Sequence, residues 1–530
     1  MDYYNLFFLL IYFDIIKNMK KNTIFVAFSI FLFFGGFSLW KFINFQNIDH
    51  YSYSQYIELL DRVQSSYPEK HDPAELIYSS IDGMIQYLDP HSSFLDPKEY
   101  KTMKQRQEGR FSGIGILVGL RNGKITVISP VEGTPAHRLG VRAGDIITEI
   151  DGEPTENMSL SKVVEKLRGP KGSEVEVSFL RLGTNETIKL KIKREVILET
   201  AVRYPTIMEN NVGYIRVTDF NKTTAEELKE ALNNLKSEGI NKLILDLRDN
   251  PGGILEQAKL VAGFFLKPDS MVVYIRGRDV SSVMEFKTEK NNVPFQFPLI
   301  VLVNSGSASA SEIVAGALQD HDRALIIGEV TFGKGLVQSV YELPQDSALA
   351  LTTARYYIPS GRCIQRDYTF LTDYLKGING KTSKIEYYTD SKRKVYGGGG
   401  VTPDIIVKTE SISRTQIKLQ GLGLYFNFAI EYTSKNPEIS ENLKITPQLL
   451  EDFVNYLLEN KFLNEEDKEK ILTDEKENKI TKFMLKREIL SAKFGISKGY
   501  QLTLNEDEQI IEALKNFDQA EELAKKYFSN

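Results

Sequence analysis

Three short apolar runs limit what this chain can become. Lys242–Arg248 (K-L-I-L-D-L-R), Pro298–Val303 and Ala324–Gly328 show almost none of the polar alternation of a half-exposed strand. A strand that is apolar on both sides belongs inside a sheet covered by helices on both faces. Ala225–Ser237 and Ile254–Leu266 read as helices between strands, Gly213–Val217 as an earlier strand, and a further helix runs to about Gln319. Strand–helix alternation from about Val212 to Asp404 predicts α/β layers around a central sheet.

At 530 residues the chain holds more than one core, roughly three or four units at about 150 residues each. We divide it into an anchor segment at 19–41, a helical N-terminal region at 45–105, a β-rich unit at 106–195, the α/β core at 196–408 and a helical extension at 409–530. The extension offers a surface for a homodimer. A net charge of -5 and the lack of a long basic block argue against a nucleic-acid partner. The single cysteine, Cys363, excludes an internal disulfide and a thiolate-clustered metal site. It lies in the strand-like stretch Tyr356–Gln365 and reads as a packing residue.

Lys20 and Lys21 precede an uncharged apolar run, Thr23–Trp40. That is the export pattern, at nearly the ~20 residues that span a bilayer. No small-x-small cleavage site follows, so we expect an uncleaved inner-membrane anchor. The rest of the chain would then sit on the periplasmic side of the cell envelope, or be secreted if the segment is cleaved. Met19, followed by two lysines, reads more naturally as a start than Met1. In the 45–105 region, Asp89 and His91 are two possible metal ligands without a third, and Asp89-Pro90 reads instead as a turn initiator.

Between Gly109 and Lys193 glycine punctuates short alternating strands. Gly113-Ile114-Gly115-Ile116 enters a strand, Lys124–Ile128 forms another, and Thr134-Pro135-Ala136 begins a short helix. Asp151-Gly152 marks a turn and Leu160–Leu167 an amphipathic helix. The loop Arg168–Gly172 follows, then strands at Val175–Leu180 and Ile188–Ile192. In this order the unit resembles a PDZ domain. Successive N–H groups of Gly113, Ile114, Gly115 and Ile116 can cradle a terminal carboxylate, while the adjoining strand edge accepts an extended peptide.

Three segments of the α/β region carry chemistry. Ser309 lies in Asn304–Glu312, between a buried strand and a helix, where the helix end favours a developing oxyanion. Glu312, three residues on, fits a capping box, and a plain helix N-cap is the alternative for Ser309. Lys334 lies in Gly328–Gly335, flanked by glycines. A lysine is a base only when neutral, and burial favours the neutral form. A surface turn is the alternative for Lys334, and the glycine spacing does not make a phosphate loop. In Asp249–Gly253 the Gly253 N–H, paired with that of Ala310, can form a two-donor oxyanion hole.

Ser309 in S-A-S-A-S-E, Lys334 in T-F-G-K-G and Gln338 four residues later resemble the carboxy-terminal processing (tail-specific) serine peptidases. The segments G-Y-I-R-V-T-D-F, D-L-R-D-N-P-G-G and Y-Y-I-P-S-G-R-C-I-Q extend the likeness over roughly residues 75–410. The resemblance implies a crotonase-like α/β core and an endopeptidase that needs neither metal nor nucleotide cofactor. It implies protein substrates with free C-termini, bound through the PDZ unit. By the same likeness Ser309 is the nucleophile, Lys334 the general base and Gln338 the residue that orients it, with Gly253 and Ala310 as oxyanion donors. Arg168, in R-G-P-K-G, matches an arginine that transmits tail binding to the protease site. A non-catalytic PDZ scaffold and a hydrolase of small thioesters are the competing readings. No Ser-His-Asp triad is indicated, and His321 reads as a loop residue.

Overall fold

The apolar runs pair as the pattern requires. The computed structural model describes residues 50–181, 186–279, 283–366, 385–408 and 412–529, so the expected anchor at 19–41 lies outside the described residues. Val212–Val217, Lys242–Asp246, Leu299–Val303, Leu325–Gly328 and Ile405–Ile406 run side by side and parallel. Val202–Met208 adds an antiparallel edge. Because side chains alternate across a strand, Leu243, Leu245, Val301, Val303 and Ile326 point to one face. There they are buried under the helices Thr224–Ser237, Leu255–Gly263 and Ala310–Asp320.

Ile244, Ile300, Leu302 and Ile327 point the other way and need a second cover. The end of the chain supplies it: Leu504, Ile510, Ala513, Phe517 and Ala520 pack onto them. The stretch 409–530, read from the sequence as one helical extension, therefore has two parts. The helices between Arg414 and Phe494 bury their own core around Leu419, Tyr425, Phe428, Phe453 and Ile489. Those at Ile496–Thr503, Glu508–Lys515 and Phe517–Ser529 belong to the central sheet. Gly495 joins the two parts at φ 91°, ψ 156°, backbone that a side chain would strain.

A second, antiparallel sheet runs Ser93–Leu95, Ser347–Tyr357, Met271–Gly277, Val283–Lys287, and Leu336–Leu343 also pairs with Ser347–Tyr357. The region at 45–105, expected to be helical, thus supplies a strand as well. Its helices His50–Ser66 and Pro73–Gln86 form a separate unit, the second opened by Asp72, whose side chain accepts the Ala74 N–H with Pro73 in the first turn. Among the described residues no helix is long and apolar enough to cross a membrane.

The glycine-punctuated unit is a sheet ordered Ile116–Arg121, Lys124–Pro130, Ile146–Ile150, Glu174–Arg181, Glu186–Lys193, packed around Val127, Ile147, Ile150, Val163 and Phe179. Ile116–Arg121 is an edge strand. Arg110–Gly113 and Glu195–Leu198 pair as its stem. Its first hairpin leans on the helical bundle: the Arg121 guanidinium lies 5.7 Å over the Phe426 ring, and Asn427 Nδ2 donates to Asn122 Oδ1 at 3.2 Å.

The terminal helices also close a charged network under the sheet. Arg248 donates to Asp246 at 2.7 Å and to both Asp507 oxygens at 3.0 and 2.9 Å. Burial pushes the Asp246 carboxyl up, but the charges of Arg248 and Arg216 and the Tyr214 hydroxyl hold it below its ordinary value. Asp507 also caps the following helix through the Gln509 and Ile510 N–H groups. Replacing Asp507 with Ala should cost about 3 kcal/mol of unfolding free energy, from the lost cap and the lost charged bonds. Asp507→Asn, which keeps the cap, should lose less in the same urea titration.

Candidate active site

Ser309 leaves the buried strand Leu299–Val303 through a loop of small residues and stands at the N-cap of the Ala310–Asp320 helix with φ 54°, ψ -113°. Such backbone costs roughly 1–3 kcal/mol in a non-glycine residue and persists only when its surroundings impose it. Glu312 is one such constraint. Its fully buried carboxylate accepts the Ser309 N–H at 2.8 Å, the reach-back half of the predicted capping box. The same carboxylate accepts the Thr331 hydroxyl at 2.5 Å, the Gly333 N–H at 2.7 Å and the Lys334 N–H at 2.9 Å. The acid expected to cap a helix therefore also fastens the serine's backbone to the lysine's. Burial pushes the Glu312 carboxyl up to about 7, against four donors that favour the anion.

Lys334 is half-buried and its Nζ donates to Gln338 Oε1 at 2.9 Å. Burial lowers its pKa, and the charges of Glu312 and Asp89 only partly oppose this. The amine makes no hydrogen bond to the Ser309 hydroxyl in this conformation. The Tyr356 hydroxyl lies against the carbonyls of both Ser309 and Lys334, a second tie between the two segments.

The Asp249–Gly253 loop is laced to the serine loop. Asn250 accepts the Ala308 N–H at 3.0 Å and the Ser311 hydroxyl at 2.9 Å on its carbonyl, while its side chain holds Val217 and Gly252. Gly252 has φ +97°, and a Cβ there would lie 2.8 Å from both Ser309 Cβ and Ala310 N, so only glycine fits. Among the described residues the N–H groups of Gly253 and Ala310 have no protein acceptor, as open oxyanion donors require. Arg216 reaches across from the Asp246 network, donating to the Arg248 carbonyl at 3.1 Å and to Asp249 at 3.0 Å.

In the PDZ-like unit the Ile114 and Gly115 carbonyls turn inward, accepting the Ala136 and Val131 N–H groups at 3.0 and 2.9 Å. The Ile114 and Gly115 N–H groups have no protein acceptor among the described residues. Gly113 ends the stem strand and Ile116 opens the edge strand. Arg168 caps the Leu160–Leu167 helix, stacks 4.3 Å over Phe111 and donates to Gln105 at 3.2 Å.

His321 stands in the turn just after the Ala310–Asp320 helix, as its largely buried C-cap, bonded to Asp390 and to the Met271 carbonyl, both at 2.7 Å. Eleven helical residues separate it from Ser309, about 16 Å along the axis. Two neighbours, Glu312 and Asp89, were given only local roles by the sequence, a helix cap and a turn. Glu312 is the one charged residue between Leu299 and Gln319, and an acid inside so apolar a stretch is itself a signal. The turn at Asp89, read as a local turn, packs against Gln338, whose amide donates to the His91 carbonyl. Nothing local reveals a contact made across so long a separation. Among the described residues no group of three or more His, Cys, Asp or Glu is placed to hold a metal ion.

Residues 211–374 match the family model for peptidase family S41, residues 126–181 that for the PDZ domain, and residues 415–482 one described as "Probable PDZ-protease, C-terminal helical domain". A carboxy-terminal-processing protease of Bartonella bacilliformis is 42% identical over 312 residues, 58% of this chain and 71% of that one. The carboxy-terminal processing protease CtpA of Bacillus subtilis is 36% identical over 307 residues, 58% of this chain and 65% of its own. Among solved structures, a photosystem II D1 C-terminal processing protease is 29% identical, covering 68% of this chain and 93% of its own, with a TM-score of 0.35.

Glu312→Gln tests the carboxylate clasp. An amide of the same shape turns an N–H toward backbone donors, so each unmatched group should cost about 1–3 kcal/mol. Serine labelling by a fluorophosphonate should slow, and the unfolding midpoint in urea should fall.

Proposed function

The chain belongs to peptidase family S41, among the carboxy-terminal processing proteases, and carries a PDZ domain; from that premise we propose a serine endopeptidase that uses Ser309 and Lys334. The observation that carries this reading is a half-buried, pKa-depressed amine held on Gln338 and fastened through Glu312 to the backbone of Ser309.

In the proposed reaction neutral Lys334 takes the Ser309 hydroxyl proton as Oγ attacks the scissile carbonyl. The oxyanion accepts the Gly253 and Ala310 N–H groups, each such donor contributing roughly 3 kcal/mol. The lysine returns its proton to the leaving amine, and an acyl-enzyme remains. Lys334 then takes a proton from water, whose oxygen attacks the acyl carbon, and gives that proton to Ser309 Oγ as the acyl C–Oγ bond breaks, freeing the new C-terminus and restoring the hydroxyl and the neutral amine. The Nζ–Oγ hydrogen bond forms in the active conformation.

The free N–H groups at Ile114 and Gly115 and the open edge Ile116–Arg121 support capture of a substrate's C-terminal carboxylate by strand addition. In this reading 106–195 is the tail-binding module and 196–408 the peptidase core. Arg168, touching Gln105 outside the PDZ sheet, carries tail binding toward that core. The run Thr23–Trp40 behind Lys20 and Lys21 supports export with the catalytic part anchored on the periplasmic side.

The full chain is tested on quenched-fluorescence peptides with a free or an amidated apolar C-terminus. Cleavage should favour the free carboxylate and vanish in Ser309→Ala and Lys334→Ala; turnover by either variant at the normal rate would eliminate the pair. The base must be deprotonated, so kcat/KM should rise with pH through an ionisation below the ordinary lysine value of 10.5 and then level off.

A further inference from the structure

The side chain that holds Lys334 is itself held by a turn far away in sequence. Asp89 Oδ1 accepts the His91 and Ser92 N–H groups at 2.7 and 2.8 Å and the Thr352 hydroxyl at 3.1 Å. Its Oδ2 accepts the Ser92 hydroxyl at 2.7 Å, and Ser92 Oγ accepts the Thr352 N–H at 3.0 Å. Burial would raise the Asp89 pKa, but these bonds hold it below its ordinary value, so it is an anion. Thr352 faces Gln338 across the ladder, where the register shifts between Val337 and Gln338. Such a bulge re-aims a side chain. The Gln338 Nε2 donates to the His91 carbonyl, and Oε1 receives Lys334 Nζ.

A primary amide can turn end for end in the same space, exchanging donor and acceptor. A carbonyl oxygen only accepts, so the amide end facing His91 must be the nitrogen. The oxygen then faces Lys334. An acceptor there takes an N–H of the amine and leaves its lone pair for a hydroxyl proton. The reversed amide would offer an N–H, which occupies the lone pair of the neutral amine and repels the ammonium.

We propose that Asp89 is a positioning residue for the base: by folding the Asp89–Ser92 turn it seats the His91 carbonyl on the Gln338 amide and fixes the amide oxygen toward Lys334. This rests on Lys334 being the base, as proposed above.

In the full chain, two quantities are followed: the rate of Ser309 labelling by a fluorophosphonate, and kcat and KM for a peptide with a free apolar C-terminus. Asp89→Ala should slow labelling and kcat by roughly 10²-fold with KM unchanged. Asp89→Asn keeps an oxygen for the two N–H groups and should restore most of the rate. In a Gln338→Ala background, measured at a pH above the acid limb where Lys334 is already neutral and the Asp89 charge no longer sets its protonation, Asp89→Ala should change the rate by no more than about twofold, because its remaining effect passes through that amide. Wild-type labelling by Asp89→Ala, an undiminished further loss in the Gln338→Ala background, or an Asn variant as slow as the Ala variant would each overturn the proposal. Should Asp89→Ala fail to fold, Gln338→Glu decides: its carboxylate gives no N–H to His91 and holds Lys334 as the ammonium. Its rate should fall and its acid limb should move to higher pH; an unchanged profile refutes the amide's role. Labelling or cleavage by Ser309→Ala would instead overturn the underlying function.

Discussion

A single buried carboxylate sets the geometry on which the rest of the site depends. Glu312 has no solvent exposure and gathers donors from Ser309, Thr331, Gly333 and Lys334. Burying an anion costs several kcal/mol unless its oxygens are satisfied. Here each oxygen takes two donors, so the favourable arrangement of the anion is also the one that joins the serine and lysine segments. Neither Ser309, at φ 54°, nor the irregular Thr331–Lys334 stretch could be placed by regular backbone hydrogen bonding alone. The same negative charge raises the affinity of Lys334 for its proton while burial lowers it, and burial wins.

Around this clasp the site is assembled from distant parts of the chain. Asp89 stands behind Gln338, Asn250 holds the serine loop, and Tyr356 touches the Ser309 and Lys334 carbonyls. Beneath the sheet, Tyr500 and Asp507 meet Arg216 and Arg248, whose other contacts lead to Asp249 and the Asp249–Gly253 loop. The terminal helices are thus structural partners of the site, because among the described residues it is they that cover the far face of the parallel sheet.

The PDZ unit is tied at more than one place. Its stem strands join it to the core, Lys98 pairs with Glu165 on the helix beside the edge strand, and Arg121 rests on Phe426 of the bundle. Beside these contacts the Ile116–Arg121 edge stays unpaired among the described residues. A peptide joining that edge would gain main-chain hydrogen bonds without displacing a strand.

Local chemistry made much of this readable. Short, largely apolar runs that alternate with helices read as interior strands, glycine at Gly252 and Gly115 marks backbone that a side chain cannot occupy, and a serine between a strand and a helix advertises a helix end. These are properties of neighbours in sequence, so the sequence by itself determined the sheet, the PDZ-like unit and the candidate serine, lysine and glycines. It could not show that Glu312 serves two segments, that an Asp-Pro turn orients a glutamine 249 residues later, or that the last helices cover the central sheet. Those facts are contacts between surfaces that exist only after folding. Hydrogen-bond direction and burial depend on where the chain returns to itself, and only the tertiary structure decided that.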